Sequence, residues 1–331
     1  MHIAGPVECI HRPFCLPAGK SCGHNDGMST KAPLPTNMHA PRVALFATCV
    51  MNVVRPQAAQ AALRLLRHAG CHVMVPEQSC CGQPAFNAGH EDEARRMARA
   101  FLRGFAAFDA VVAPSASCAG MLRNHLPGLF PAGSEEYRQA EALAAHTFEL
   151  CDFLHRLEAP LPARAWRDGP VIWHDSCASL RETPMTQAAL ALLNRIEGLK
   201  LLLPDKEARQ TCCGFGGLFS VKVDAVSAEL ARRKWEALLH TVGAATKPSC
   251  PGLTRASRRQ QAREAVTLDC RVKPGNDERE APDSASITLT GPDMGCLMHL
   301  KAWLDAHPEA AGGRHVRVRH VAEILAGEDV A

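Results

Sequence analysis

The sequence predicts an α/β protein built from two similar parallel-sheet halves. Short apolar runs alternate with stretches of helical periodicity, which favours parallel strands joined by helical crossovers. The alternating pattern then occurs a second time along the chain, and each copy contains the rare tripeptide Cys-Cys-Gly. We therefore expect two halves related by a pseudo-twofold axis.

The first half begins with an apolar run that ends in a cysteine, at residues 42–49. Its helix after the first strand has Pro56 in the first turn and stops at Gly70, which are typical positions for these residues. The predicted elements are, in order, a strand at 43–47, a helix at 55–70, a strand at 72–76, a helix at 91–108 and a strand at 110–114.

The second half repeats this order with similar spacing. The predicted elements are a strand at 171–173, a helix at 186–196, a strand at 199–203, a helix at 223–239 and a strand at 287–289. Cys49 precedes Cys177 by 128 positions and Cys80 precedes Cys212 by 132. Cys118 and Cys296 are 178 positions apart, so the second half contains an excess of about 46 residues.

The excess residues coincide with a change in composition. Residues 247–285 are rich in Arg, Pro and Asp and lack a steady apolar period, and they resemble translated palindromic repeat elements of bacterial genes. We interpret them as an exposed, disordered insertion, which a surface position tolerates. The expected organisation is a flexible N-terminal extension at 1–40, a first repeat at 41–160, and a second repeat at 168–331 interrupted by the insertion.

The composition excludes several functional classes. The chain has 331 residues with 47% hydrophobic residues, a net charge of +3 and 5% aromatic residues, which argues against nucleic-acid binding. The sequence contains no run of 18 apolar residues, so no membrane span is predicted, and the N-terminal stretch lacks the features of a secretory signal. We expect a cytoplasmic protein whose 15 cysteines stay reduced and act as ligands, reactive groups or packing residues.

The cysteines that follow strands are the candidate metal ligands. In an open parallel sheet the carboxyl ends of the strands face one crevice, so cysteines at these ends are expected to converge. Four soft thiolates suit zinc or an iron–sulfur cluster, and adjacent cysteines fit the larger cluster better. The two predicted ligand sets are Cys49, Cys80, Cys81 and Cys118, and Cys177, Cys212, Cys213 and Cys296.

Three further residues are candidates for the environment of these sites. Gly82 and Gly214 would let the backbone approach a cofactor and direct N–H groups at its sulfur atoms. His174 lies three residues before Cys177 and is the candidate catalytic residue, as a proton donor or a group beside the cluster; it could equally be a half-buried histidine at a strand end. We assign Cys71 and Cys151 to packing.

The cysteine pattern resembles a known family. The first half reads Cys–x30–Cys-Cys-Gly–x35–Cys, and the second reads Cys–x34–Cys-Cys-Gly–x81–Cys, which becomes x35 when the 46-residue excess is removed. This pattern is similar to the cysteine-rich CCG domain found in heterodisulfide reductase, in the glycolate oxidase iron–sulfur subunit and in the lactate utilization protein A family. The segments ATCVMNVVRPQAA, CCGQPAFNAGH, PSASCAGM, CCGFGGLFSVK and HVAEIL resemble the last of these.

The resemblance implies an iron–sulfur electron-transfer subunit of a complex that oxidises L-lactate to pyruvate. It implies one or two clusters of the 4Fe–4S type and partner subunits that include a ferredoxin-type cluster protein. Met121 and His299 stand where heterodisulfide reductase has an additional cysteine in each motif, which argues against a disulfide-cleaving site. The chain also lacks a Cys-x-x-Cys-x-x-Cys run, so it would pass electrons to a partner that has one.

Three functions remain open at this point. The chain could be the electron-transfer subunit of an oxidoreductase acting on lactate or glycolate, a reductase of disulfides, or a structural zinc module. No Gly-x-Gly-x-x-Gly motif follows a strand, so hydride transfer by this chain alone is not predicted.

Overall fold

A computed structural model of the chain describes residues 40–246 and 286–327, with side chains described to residue 241 in the first range. The predicted insertion and nearly all of the predicted N-terminal extension lie outside these residues. The eight described strands are β1 (Arg42–Leu45), β2 (His72–Met74), β3 (Ala110–Ala113), β4 (Thr147–Glu149), β5 (Val171–Trp173), β6 (Leu201–Leu202), β7 (Ser286–Gly291) and β8 (His315–His320).

Helices connect these strands in both halves. Those of the first half are α1 (Cys49–Val54), α2 (Pro56–His68), α3 (Gln83–Asn87), α4 (Glu91–Phe105), α5 (Ala116–Gly120), α6 (Glu135–Ala145) and α7 (Leu150–Arg156). Those of the second half are α8 (Cys177–Arg181), α9 (Thr186–Leu193), α10 (Lys206–Gln210), α11 (Leu218–Lys222), α12 (Asp224–Thr246), α13 (Met294–Ala306) and α14 (Val321–Ala326). A turn of π-helix at Met121–His125 continues α5.

Each half contains one four-stranded parallel sheet, and both sheets have the same strand order. The orders are β2-β1-β3-β4 and β6-β5-β7-β8. In register, Ala44 pairs with Val111 in the first sheet and Ile172 pairs with Leu289 in the second. The connections leave the two central strands in opposite directions, so each sheet has a switch point between β1 and β3 or between β5 and β7. The predicted α/β class with two parallel-sheet halves is confirmed.

Local sequence explains the elements that frame these switch points. All four residues of β3 and all six of β7 are buried, as expected for central strands covered on both faces. Helix α4 starts with three acidic residues and has Arg103 in its last turn, which complements the helix dipole. Its buried residues recur at helical spacing and face the sheet: Ala94, Ala98, Phe101, Leu102 and Phe105.

The observed elements differ from the predicted ones mainly at their ends and at the sheet edges. The helix predicted at 91–108 ends at Phe105, and the strands predicted at 72–76 and 199–203 are shorter. The last strands of both sheets, β4 and β8, were not predicted. β4 has only three residues and includes a buried glutamate, and β8 alternates Val with Arg, so neither has an apolar run that would reveal it.

The two halves pack on each other reciprocally. Helix α2 of the first half contacts α14 of the second, and the equivalent helix α9 of the second half contacts α7 of the first. Helix α1 contacts α13, and the equivalent pair α8 and α5 are also in contact. Such reciprocal pairs are characteristic of a twofold arrangement. Ala47, Met51 and Ala58 of the first half therefore belong to the same buried cluster as Ile172 and Leu289 of the second.

Within the described residues, none of the helices has the length and apolar character that crossing a lipid bilayer requires.

Candidate metal centres

The first predicted ligand set converges at the switch point of the first sheet. Cys49 begins α1, the helix that follows β1, Cys80 and Cys81 lie between β2 and α3, and Cys118 lies in α5 after β3. The sulfur atoms of Cys49 and Cys80 are 3.6 Å apart, and those of Cys81 and Cys118 are 3.5 Å apart. We refer to these four residues as the first centre.

These distances fit shared ligation better than disulfide bonding. A disulfide joins its sulfur atoms at about 2.05 Å. Two thiolates on one tetrahedral metal ion, each bound at about 2.3 Å, are about 3.8 Å apart. All four cysteines of the first centre are free, so the structure presents them as unlinked neighbouring sulfur donors.

The second predicted ligand set converges in the same way at the switch point of the second sheet. Cys177 begins α8 after β5, Cys212 and Cys213 lie between α10 and α11, and Cys296 lies in α13 after β7. The Cys177 side chain lies beside Cys212, and the Cys213 side chain lies beside Cys212 and Cys296. The sulfur atoms of Cys213 and Cys296 are within 4.8 Å of each other. We refer to these four residues as the second centre. The structure thus brings together all eight predicted cysteines, in the two predicted groups.

Because the thiols of each centre are close together, some have a lowered pKa and others a raised one. Hydrogen bonding from Cys49 and Cys81, with backbone N–H groups, lowers the pKa of Cys80 to about 2. Bonds from Cys177 and Cys213 likewise lower the pKa of Cys212 to about 2. The pKa of Cys49 is raised, because its thiol donates to Cys80 and is partly desolvated. The thiols of each centre thus differ in proton affinity, and a bound metal would favour ionisation of all of them.

The glycine of each Cys-Cys-Gly motif has a left-handed backbone. Gly82 has φ of +86° and Gly214 has φ of +89°. The Gly214 N–H donates to the Cys212 sulfur over 3.3 Å. The nearest atoms to a Cβ at either glycine belong to a later helix, at Ala94 of α4 and at Ser227 of α12. The close approach that these glycines permit is therefore to those two helices.

His174 lies beside the second centre. One of its ring nitrogens and the sulfur atoms of Cys213 and Cys296 lie within 4.8 Å of one another. The side chain is buried rather than half-buried, and burial, together with the nearby Lys234, lowers its pKa well below the usual histidine value. A neutral imidazole can bind a metal or donate one hydrogen bond.

Lys234 is a buried cation that the sequence analysis missed. Its ammonium group donates to the carbonyl oxygens of Ala208 and Arg209, over 2.7 and 3.1 Å. Burial lowers its pKa, and attraction to Cys213, Asp175, Cys296 and Cys177 acts in the opposite direction. A positive charge here offsets the negative charge of thiolates at the second centre. A lysine on an otherwise amphipathic helix gives no sequence signal of this role.

Asp293 links the surroundings of the two centres. Its Oδ1 accepts hydrogen bonds from the hydroxyl groups of Ser115 and Ser117, both over 2.7 Å, and its Oδ2 accepts one from Ser176 over 2.5 Å. Ser115 caps the helix with Cys118, and Ser176 caps the helix that begins at Cys177. An acidic residue in the otherwise uncharged run after β7, GPDMGC, is the sequence signal that could have identified it.

Cys71 and Cys151 are buried in the core, as expected of packing residues. Burial raises the pKa of Cys71 to about 11 and that of Cys151 well above its usual value. Their thiols therefore stay protonated at neutral pH.

Comparison with known proteins gives matches in both halves. A family model described as "Cysteine-rich domain" (CCG) matches residues 43–123 and 171–252. The second match ends before Cys296, inside the stretch interpreted as an insertion. The chain is 33% identical over 285 residues to "Lactate utilization protein A" of Geobacillus kaustophilus (strain HTA426), which covers 86% of this chain and 98% of that protein.

Two further relatives cover the same shares of both chains, 86% and 98%. They are "Lactate utilization protein A" of Shouchella clausii (strain KSM-K16), at 32% identity, and "Lactate utilization protein A 2" of Bacillus cereus (strain AH820), at 30% identity.

Proposed function

This chain belongs to the lactate utilization protein A family of proteins with two CCG domains, and we propose that it is an iron–sulfur electron-transfer subunit of a complex that oxidises L-lactate to pyruvate. The observation that carries the proposal is the convergence of four free cysteines at the switch point of each sheet. The names of the relatives support lactate as the substrate of the complex.

The donor set of each centre fits an iron–sulfur cluster. Four sulfur atoms from three separate segments meet in each half, and soft thiolates favour iron–sulfur clusters among the metals they bind. We propose that each chain holds one or two clusters of the 4Fe–4S type, with the first and second centres as their ligands. When bound, such a cluster supplies reversible one-electron transfer.

The residues around the ligands hold the sulfur atoms in place and adjust their charge. The Gly214 N–H stabilises the thiolate of Cys212, and the Lys234 ammonium offsets negative charge at the second centre. Burial of Cys81 and Cys213 keeps water away from one side of each centre. These features favour electron transfer over metal release.

We propose that other subunits of a cytoplasmic complex supply what this chain does not. Oxidation of lactate to pyruvate releases two electrons and two protons, and a one-electron carrier must pass the electrons on singly. A ferredoxin-type cluster protein would exchange electrons with the centres of this chain.

The proposal is tested by measuring iron, acid-labile sulfide and zinc per chain in protein purified without oxygen. We expect iron and sulfide in the unmodified chain and a partial loss of both in Cys81→Ser and in Cys213→Ser, because each variant removes a ligand from one centre. Cys151→Ala is the matched control, since it removes an equally buried thiol outside both centres.

The outcomes separate the alternatives. Loss in only one variant would restrict cluster binding to that half. Zinc without sulfide would replace the redox function by a structural zinc module. In the complex with its partner subunits, L-lactate but not glycolate should reduce the clusters; reduction by glycolate alone would contradict the proposed substrate.

A further inference from the structure

The position of His174 in the second half has an equivalent in the first half, where a different residue stands. It is the first residue after β5, and its N–H donates to the Thr290 carbonyl of β7 over 2.7 Å. Phe46 is the first residue after β1, and its N–H donates to the Val112 carbonyl of β3 over 2.9 Å. Each lies three residues before a ligand cysteine. The two positions are therefore structurally equivalent, with an apolar ring at the first centre and an imidazole at the second.

The imidazole has no protein partner for its polar atoms. His174 is 1% exposed, and among the described residues neither Nδ1 nor Nε2 has a hydrogen-bond partner. A buried polar atom without a partner is destabilising, and the great majority of such atoms are paired in folded proteins. An imidazole ring with two unpaired nitrogens is thus an unexplained feature that a phenylalanine at this position would avoid.

The ring is directed at sulfur donors. One of its nitrogens lies within 4.8 Å of the sulfur atoms of Cys213 and Cys296, and these two sulfur atoms lie within the same distance of each other. Donors on one tetrahedral metal ion, bound at about 2.0–2.3 Å, are about 3.3–3.8 Å apart. The three donors therefore face one shared space that the metal of the second centre would occupy.

We propose that His174 is a metal ligand of the second centre, which thereby has a mixed nitrogen and sulfur donor set, whereas the first centre has sulfur donors alone. This inference rests on the proposed function, because it needs a metal at the second centre. Coordination satisfies one ring nitrogen. The other can donate a hydrogen bond to a cluster sulfur or a thiolate.

The nitrogen ligand has a consequence for the redox properties of the chain. A neutral imidazole leaves a metal centre less negative than a thiolate in the same place would, and histidine ligands raise the potential of iron–sulfur centres. The nearby Lys234 ammonium acts in the same direction. With His174 as a ligand, the second centre is thus a better electron acceptor than it would be with a thiolate at the same position.

The test is pulsed EPR of the complete chain, purified without oxygen, containing 15N-labelled histidine and poised in its paramagnetic state. We expect a nitrogen hyperfine coupling of the strength typical of direct metal coordination. It should disappear in His174→Phe, which copies the first half, and persist in His299→Gln. His299 is the matched control because it lies near the same centre with its Nε2 bonded to Ser227 over 3.0 Å.

A third variant separates coordination from packing. In His174→Cys a thiolate replaces the imidazole, so metal content should be retained while the reduction potential of the second centre falls. If His174→Phe does not fold, the labelled unmodified protein and His299→Gln still decide the matter. A filled second centre without strong nitrogen coupling, or with coupling that is lost in His299→Gln, overturns the inference but leaves the proposed function intact. A second centre without metal overturns the inference and restricts the proposed cluster to the first centre, and metal in neither centre overturns the proposed function as well.

Discussion

Gly82 and Gly214 show how one sequence motif meets different demands in its two copies. Both residues have positive φ, and this conformation alone disfavours any side chain. A Cβ at Gly82 would have its nearest neighbours at 3.6 Å, in ordinary contact with Ala94. A Cβ at Gly214 would overlap with the carbonyl oxygen of Ser227. This oxygen belongs to the backbone of helix α12, so it cannot move aside without moving the helix. The second motif is thus the more tightly packed.

We predict that Gly82→Ala and Gly214→Ala differ in stability. The left-handed conformation should lower the free energy of unfolding by ~1–2 kcal/mol in both. Gly214→Ala should lose a further ~1–3 kcal/mol through overpacking. Chemical denaturation of the two variants, prepared with the same metal content, measures this difference. Equal losses would show that helix α12 moves away freely and that the packing argument is wrong.

The grouping of the cysteines could be predicted from the sequence because it follows from topology. Each cysteine or cysteine pair lies in the connection after a strand, with the short helix α10 intervening before Cys212, and parallel strands place such connections at one edge of the sheet. Lys234 and the bonds of Asp293 could not be identified, because these depend on which side chains other segments bring within reach. The full burial of His174 could not be predicted either, because a half-buried histidine at the end of a strand has the same local sequence pattern.

At the scale of elements, helix α7 begins at an unusual cap. Glu149, the last residue of β4, accepts hydrogen bonds from the N–H groups of Cys151 and Asp152 through Oε2, over 2.7 and 3.2 Å. Its Oε1 has no hydrogen-bond partner among the described residues, and the side chain is fully buried. Burial raises the pKa of Glu149 to about 8, against the usual value of 4.5.

We predict a pH dependence of stability from this residue. Between about pH 4.5 and 8 the folded chain keeps a proton on Glu149 that the unfolded chain releases, so the free energy of unfolding contributed by this residue falls as the pH rises. Glu149→Gln keeps an acceptor for the cap and removes the titration. Its stability should therefore depend less on pH in this range and exceed that of the unmodified chain near pH 8.

Thermal denaturation from about pH 5 to 8 measures this effect. The exposed Glu309 provides the control variant, Glu309→Gln, which also removes one carboxyl group. If Glu149→Gln and Glu309→Gln have the same pH profile, Glu149 is not the source of the dependence.

Two strands, β4 and β8, were not predicted from the sequence, and the capping residues at their ends are part of the reason. β4 and β8 are edge strands that end in a buried polar residue, Glu149 or His320, which then caps the next helix. Their ends resemble each other in sequence, as FELC and RHVA, yet neither has the continuous apolar run of a central strand. Pairing with β3 and β7 supplies the stability that local preference lacks.

At the scale of the molecule, the reciprocal packing places the ligand-bearing helices of one half against those of the other. Helix α1, which starts at Cys49, contacts α13, which contains Cys296. Helix α8, which starts at Cys177, contacts α5, which contains Cys118. The duplication predicted two similar halves, but no sequence pattern indicated that their helices would pair across the interface. A change at this interface can therefore reach both centres.

Asp293 is the residue through which this coupling should be strongest. It is 4% exposed and begins helix α13, yet its carboxylate makes no hydrogen bond to the N–H groups of that helix. It bonds instead to Ser115 and Ser117 of the first half and to Ser176 of the second. A buried carboxylate is stable only when its oxygen atoms are well supplied with donors, and here both halves supply them.

We predict that Asp293→Asn weakens both centres, whereas Ser176→Ala weakens only the second. An asparagine is neutral and has one acceptor oxygen where the carboxylate has two, so the serines of one half lose their acceptor and those of the other half keep a hydrogen bond to a neutral group only. A hydrogen bond to a charged group contributes about 1.5–3 kcal/mol, against about 0.5–1.5 kcal/mol for a neutral one. The measurement is the rate of iron release to a chelator in each variant, combined with Cys81→Ser or Cys213→Ser to isolate one centre. Faster release from both centres in Asp293→Asn, together with a change confined to the second centre in Ser176→Ala, is the expected result. Release that is faster from one centre only in Asp293→Asn would mean that the halves hold their clusters independently, despite the shared carboxylate.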